Sequence, residues 1–247
     1  MERAELERYA RQIILKEVGG PGQAAIGQSK VLVVGAGGLG GPAALYLAAA
    51  GVGTLGLVDD DVVDLSNLHR QIQFLTDDLS KLKVDVLGNK LCALNPHIDI
   101  KRHNVRLDQS NAVNIIAEYD IVLDGTDSFE TRFAVNAACL TARKPLVSGA
   151  LGRFDGQLAV FKNDGSGPCY QCFVPQAPPD AETCASVGIL GALAGIIGSM
   201  MAMETLKIVT GAGRPLSGRL FLYDGLNGET RTVSLPQDPS CPACSKS

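Results

Sequence analysis

The 247-residue sequence contains no tryptophan, only 3 histidines and 4 methionines, and aromatic residues make up 5% of it. The missing tryptophan carries no functional message, because a hydrophobic fraction of 46% supplies an ample core without it. Cationic excess is absent too: 22 lysines and arginines stand against 26 aspartates and glutamates, a net charge of −4. That balance argues against a nucleic-acid partner bound by phosphate neutralisation. No G-x-x-x-x-G-K-[S/T] run occurs, so no phosphate site of the Walker type is encoded. The opening MERAELERYARQ is charged and amphipathic and does not resemble a signal peptide, so a cytoplasmic location is expected. Charge is also missing from Cys184 to Met203. This run reaches the lower limit for spanning a bilayer, and Gly191 to Gly195 matches G-x-x-x-G. It has no aromatic belt and few flanking charges, and a helix apolar all round fits a protein core or a subunit interface. Burial, with no membrane partner, is the expectation.

What is present is organised around KVLVVGAGGLG, from Lys30 to Gly40. Val31 to Val34 is a β-branched apolar run of the kind that forms a buried parallel strand. Gly35, Gly37, Gly38 and Gly40 follow, then a helix-forming stretch with Pro42 in its first turn. Strand, glycine turn and helix together place backbone N–H groups and the positive end of a helix dipole where a phosphate can sit. Roughly 20 residues on, Thr54 to Val58 ends in Asp59, placed to accept hydrogen bonds from ribose hydroxyls. Tight strand–helix packing would also ask for the glycines, but not for the aspartate. NAD, FAD and ATP all remain open at this point.

In chain order, a helix is expected from Arg3 to Val18, ending in the Gly19-Gly20-Pro21-Gly22 break. Arg11 lies on it, and on pattern alone it is a solvated cation. After Asp59, Asp60, Asp61 and Asp64 make a negative strand end, followed by Ser66-Asn67-Leu68-His69-Arg70-Gln71, Lys81 and Lys83. Arg70 as a fork and Lys83 as a point charge suit phosphate oxygens, although either alone is an ordinary surface cation. His69 reads as a polar loop residue. A helix from Val84 to Leu94, a strand from His97 to Arg102 and a helix from Asp108 to Glu118 come next. The strand Tyr119 to Leu123 then runs into Asp124-Gly125-Thr126-Asp127-Ser128. Asp127 or Ser128 caps the helix Phe129 to Thr141, worth ~1 kcal/mol, or Asp127 holds Mg²⁺ beside phosphate oxygens. Pro145 to Ser148 is a strand with Gly156 to Lys162 as its continuation, and Asn227-Gly228 signals a closing hairpin between Arg219–Tyr223 and Glu229–Leu235.

Cysteine is the second organising feature, with 7 in the chain. Cys169/Cys172 and Cys241/Cys244 are two C-x-x-C pairs, which together complete a tetrahedral Cys₄ zinc shell. A thioredoxin-like redox pair competes, but neither C-x-x-C opens a helix after a strand. The expected zinc is structural, stapling the tail to the mid-chain loop, because four thiolates leave no open position. Cys184 stands apart in a Pro/Asp-rich loop, either a small buried hydrophobe or a nucleophile.

Arg11 in YARQIIL, GAGGLG at 35–40, Asp59 at the VDDD strand end, SNLHRQ at 66–71, Lys83, DGTDS at 124–128 and the paired C-x-x-C motifs occur in one order. That order, over essentially the whole chain, resembles the MoeB/ThiF/HesA adenylyltransferases, bacterial relatives of ubiquitin-activating enzymes. The resemblance implies a nucleotidyltransferase that is a homodimer, binds Mg-ATP and adenylates the C-terminal glycine of a small ubiquitin-like sulfur carrier ending in Gly-Gly. Molybdenum-cofactor and thiamine biosynthesis are both open. The fold it implies is α/β: a mostly parallel Rossmann-like sheet with antiparallel C-terminal strands and a Cys₄ zinc site. One domain would span 1–247, with a helical arm at 1–28, a nucleotide-binding half at 29–150 and a carrier-binding half at 151–247.

Carried over residue by residue, the ATP site comprises Gly35, Gly37, Gly38, Gly40, Asp59, Asp61, Ser66, Asn67, Leu68, His69, Arg70, Lys83, Asp127 and Ser128. Arg70, Lys83 and Asp127 would be catalytic, Asp127 as the Mg²⁺ ligand. Arg11 would reach across the dimer, and Cys184 occupies the position of a crossover-loop cysteine that in some relatives links covalently to the carrier. Two departures stand out: the family's usual DCTDN is DGTDS here, and His69 replaces a glutamine. The rival readings are an NAD-dependent Rossmann oxidoreductase, which leaves Arg11, Arg70, Lys83 and the cysteine quartet unexplained, and an inactive carrier-binding scaffold.

Overall fold

The apolar runs decide the sheet. In the computed structural model, which describes residues 2–178 and 188–245, they form β1 (Lys30–Val34), β2 (Thr54–Val58), β4 (Ile121–Asp124) and β5 (Leu146–Leu151), with β3 (Asp99–His103) added at the edge. β1 pairs in parallel with β2 on one side and β4 on the other. β2 continues to β3, and β4 to β5, also in parallel. Beyond β5 the sheet turns antiparallel through β6 (Asp155–Phe161), β7 (Arg219–Asp224) and β8 (Glu229–Ser234). The eight strands lie in the order β3-β2-β1-β4-β5-β6-β7-β8. Connections leave β1 toward β2 and later return beside it at β4, so a crevice opens at the carboxyl ends of β1 and β4, where ligands of open α/β sheets bind.

Both faces of this sheet are covered, which is why β1 shows no polar alternation. Val31 and Val33 enter one core cluster and Leu32 and Val34 the other. The N-terminal helices are α1 (Arg3–Ile13) and α2 (Gly19–Gln28). The first cluster is completed by α3 (Gly40–Ala50), α4 (Lys83–Leu94) and the long apolar helix Gly191–Thr210. The second is completed by α5 (Ala112–Ala117) and α6 (Phe129–Ala142). A short turn of helix, α7 (Tyr170–Phe173), precedes the long one, which is α8.

Helix α8 is the one described helix long and apolar enough to cross a membrane. One of its faces is core: Leu193, Ala194, Ile197, Met201 and Ala202 are buried, against α3, β5 and β6. Gly198 permits this, since a Cβ there would lie 2.6 Å from the Leu39 carbonyl oxygen. On the opposite face Ile196 and Met203 are 41% and 59% exposed.

Four expectations need correction. The first helix stops at Ile13 rather than Val18. Ile14 and Leu15 beyond it are 73% and 52% exposed, so no packing extends it. Gly19-Gly20-Pro21-Gly22 does not break a helix but opens α2. Gly19 takes the left-handed φ of +58° that redirects the chain, and Pro21 stands in the first turn, where no N–H partner is required. The 156–162 stretch is not a continuation of the previous strand. It returns antiparallel, pairing Leu146 with Phe161 and Leu151 with Gly156. The helix expected over 108–118 is shorter, Ala112–Ala117, because the Asp108 carboxylate is engaged with the Ser110 N–H and hydroxyl in a turn before it.

Candidate active site

The glycine turn follows from backbone sterics. Gly35 has φ +88°, which side-chain-bearing residues rarely adopt. A Cβ on Gly40 would stand 1.8 Å from the Gly35 carbonyl oxygen, so only glycine lets α3 begin against the end of β1. The turn is held from outside by Gln73, buried, whose Nε2 donates to the Ala36 and Gly37 carbonyls at 2.8 and 3.0 Å.

A cleft of about 1000 Å³ opens there. One wall is Gly35, Gly37 and Gly38, with Asp59, Asp60 and Asp61 from the end of β2. Asn67, Arg70 and Lys83 form the next part, and Asp127, Ser128 and Arg132 face them from the β4–α6 junction. The far end is lined by Arg153, Asp155 and Gln157 of the β5–β6 hairpin and by Tyr170 and Phe173 of α7. Residues scattered from 34 to 189 thus meet at one sheet end.

The charges are paired in a particular way. Asp59 accepts the Ala36 N–H at 2.7 Å and the Asp61 N–H at 2.9 Å. Burial nevertheless pushes its carboxyl above the ordinary range, partly offset by nearby Lys83. Lys83 is itself buried, with Nζ 2.7 Å from Asp61 Oδ2. Arg70 donates through Nη1 to the Ser66 carbonyl at 3.1 Å, with His69 Nε2 2.9 Å from the same nitrogen. Asn67 Oδ1 accepts from Gln71 Nε2 at 2.5 Å. Lys81 points elsewhere, to Asp78 at 3.3 Å.

The Asp127/Ser128 ambiguity has a structural answer on the capping side. Ser128 is the N-cap of α6, its Oγ accepting the Thr131 N–H at 3.5 Å. Asp127 is exposed and has no hydrogen-bond or ion-pair partner among the described residues. Ser66, Leu68, His69 and Gly40 stand beside or behind the cleft wall rather than on it. Arg11, exposed in the last turn of α1, also lies off the cleft of its own chain. Cys184 lies outside the described residues.

Sequence reasoning missed a buried polar set beneath Asp127. Asp124 is fully buried and Arg132 is 6% exposed. Their side chains approach to 3.6 Å. The signal was available: Arg132 and Asn136 stand one turn apart among the Ala, Val and Cys residues of α6, five and nine residues after Asp127. Gln73 was missed as well, and a lone glutamine carries no pattern that would have marked it.

The cysteine quartet does converge. All four Sγ atoms lie within 4.8 Å of one another, with Cys169–Cys241 at 3.6 Å and Cys172–Cys244 at 3.5 Å. A zinc tetrahedron with Zn–S of about 2.3 Å requires Sγ–Sγ of about 3.8 Å, so the residues present fit that ion. Asn136, fully buried on α6, donates to Cys169 Sγ at 3.7 Å and accepts the Tyr170 N–H at 3.0 Å. Outer-shell contacts of this sort orient thiolate ligands.

The ThiF family model matches residues 9–243. The chain belongs to the ThiF family. It is 46% identical to the sulfur carrier protein adenylyltransferase of Thermus thermophilus over 246 residues, 97% of this chain and 91% of that protein. It is 44% identical to the probable adenylyltransferase/sulfurtransferase MoeZ of Mycobacterium tuberculosis, covering 98% of this chain but 63% of MoeZ. The fold matches Escherichia coli MccB, crystallised with MccA-N7isoASN, at a TM-score of 0.85 and 21% identity over 97% of this chain and 74% of MccB. This ThiF-family chain is an adenylyltransferase, which sets aside the oxidoreductase alternative.

Proposed function

We propose that this chain activates the C-terminal glycine carboxylate of a small ubiquitin-like sulfur carrier as an acyl-adenylate. A carboxylate oxygen attacks the α-phosphorus of ATP, the bond to the β-phosphate oxygen breaks, and pyrophosphate leaves with the electron pair. Both reactants are anionic, so the protein's task is positioning and charge neutralisation rather than nucleophilic attack. Asp59 would accept from the ribose hydroxyls, the Gly37–Gly38 backbone would approach the phosphates, and Asn67, Arg70 and Lys83 would engage the triphosphate. Asp127, free and facing the cleft, would hold Mg²⁺, which when bound adds further neutralisation. The observation that carries this reading is the convergence of Arg70, Lys83 and an unpartnered Asp127 on the cleft behind the glycine turn, in a chain whose near full-length relative is a sulfur carrier protein adenylyltransferase.

The finer parts rest on the family resemblance. A homodimer would bring Arg11 of one protomer to the other's cleft, and the exposed Ile196 and Met203 of α8 are consistent with a second copy. Zinc on the four cysteines, a cytoplasmic location, service to molybdenum-cofactor or thiamine biosynthesis and a covalent role for Cys184 belong to the same proposal.

The test is ATP–pyrophosphate exchange with purified carriers ending in Gly-Gly. Exchange that needs both the carrier and its terminal glycine is expected. Carrier binding without exchange would establish the scaffold reading instead. Mixing Arg11→Ala and Lys83→Ala protomers, each inactive alone, should restore partial exchange if the site is shared between subunits.

A further inference from the structure

Thr126 immediately precedes Asp127, and all three of its polar groups are engaged. Its N–H and Oγ1 donate to Asp124 Oδ1 at 3.0 and 2.7 Å. Its carbonyl accepts from Arg132 Nη2. Arg132 Nη2 also donates to the Gly149 carbonyl at 2.8 Å, and Nη1 to Ser148 Oγ at 3.3 Å. The ion pair between Arg132 and Asp124 closes the ring.

We propose that Arg132 is a positioning residue that acts through Asp127: it locks the Thr126 peptide to β4 and β5 and so fixes where the Asp127 carboxylate projects. Three features favour this over a direct role. The guanidinium is buried, its donors are directed at protein acceptors, and a planar fork serves several carbonyls at once where an ammonium does not. Asp127 has no side-chain partner of its own among the described residues, so its direction depends on the backbone that Arg132 holds. The peptide that Arg132 grips is the one joining Thr126 to Asp127, so a displaced guanidinium is felt first at the carboxylate. The inference rests on the reading of Asp127 as the magnesium-holding residue.

The experiment measures the free Mg²⁺ concentration for half-maximal ATP–pyrophosphate exchange in the full chain with its carrier. Arg132→Lys should raise it roughly ten-fold, the effect of losing an outer-shell partner, with KM for ATP at saturating Mg²⁺ nearly unchanged. In an Asp127→Asn background the same substitution should add less than about a two-fold change, since coupled residues are non-additive. Thr126→Val keeps the buried ion pair whole while removing one bond of the ring. It should shift the Mg²⁺ requirement in the same direction by a smaller factor, and it serves if Arg132→Lys folds poorly. Equal shifts in both backgrounds, or a lowered Tm with an unchanged Mg²⁺ requirement, would overturn the positioning role. An Asp127→Asn enzyme with the wild-type Mg²⁺ requirement would overturn the assignment of Asp127 itself, and this proposal with it, a result distinct from the first two.

Discussion

Lys83 and Asp61 form an asymmetric pair: Nζ lies 2.7 Å from Oδ2, the lysine side chain is 5% exposed and the carboxylate side chain 67%. The cation is therefore held inside the cleft wall by an anion that water already solvates. If Lys83 engages the triphosphate as proposed, a phosphate oxygen would replace this surface carboxylate as its partner.

Replacing Lys83 by Met tests that arrangement. Asp61 stays solvated, and Asp59 loses a nearby cation but keeps the Ala36 and Asp61 N–H donors, so only a modest loss of stability is expected. Exchange activity should fall by about 10²–10³-fold, the scale of losing one preorganised electrostatic donor. Thermal denaturation beside exchange kinetics checks both, and retained activity would remove Lys83 from the triphosphate site.

Glycine substitutions separate steric necessity from loop convenience. Gly40→Ala places a methyl against the Gly35 carbonyl oxygen, where backbone cannot yield. A loss of about 1–3 kcal/mol is expected, with loss of nucleotide binding. Gly27, in α2, has nothing within 4 Å of a built Cβ, and Gly27→Ala should gain about 0.5–1 kcal/mol from the entropy of the unfolded chain. Urea unfolding of the two variants gives the comparison.

Metal removal should unfasten the tail. The C-x-x-C at 241–244 is held to α7 through sulfur contacts, and α7 contributes Tyr170 and Phe173 to the cleft. Chelation, or Cys241→Ser, should lower Tm, abolish stoichiometric zinc and expose residues after 235 to protease. An unchanged Tm with full cysteine reactivity before chelation would exclude a structural ion.

His103 gives a pH dependence of stability. Its Nε2 lies 2.8 Å from the Tyr119 hydroxyl, and burial lowers its pKa below the ordinary 6.5. The folded form thus stays neutral where the unfolded chain already binds a proton, so stability rises with pH between the lowered value and 6.5. His103→Gln should flatten Tm across that window, while a matching slope in the variant would assign the effect elsewhere.

The sequence by itself determined what depends on near neighbours: the apolar runs of β1, β2, β4 and β5, the glycine turn that only φ > 0 and a missing Cβ allow, and the hairpin at Asn227-Gly228. It also held part of the candidate site: the two C-x-x-C pairs stand out by type and spacing, whereas Arg70, Lys83 and Asp127 gain their expected roles only from the family resemblance. Only the tertiary structure decided which groups meet. Whether Gly-Gly-Pro-Gly ends or begins a helix depended on packing, and whether residues 156–162 continued or reversed the preceding strand depended on long-range pairing. The Asp124–Arg132 ion pair, the grip of Gln73 on the glycine turn and the convergence of thiols 72 residues apart join residues distant in sequence or on different elements. Side-chain partners of that kind follow from burial and register, which no local pattern encodes.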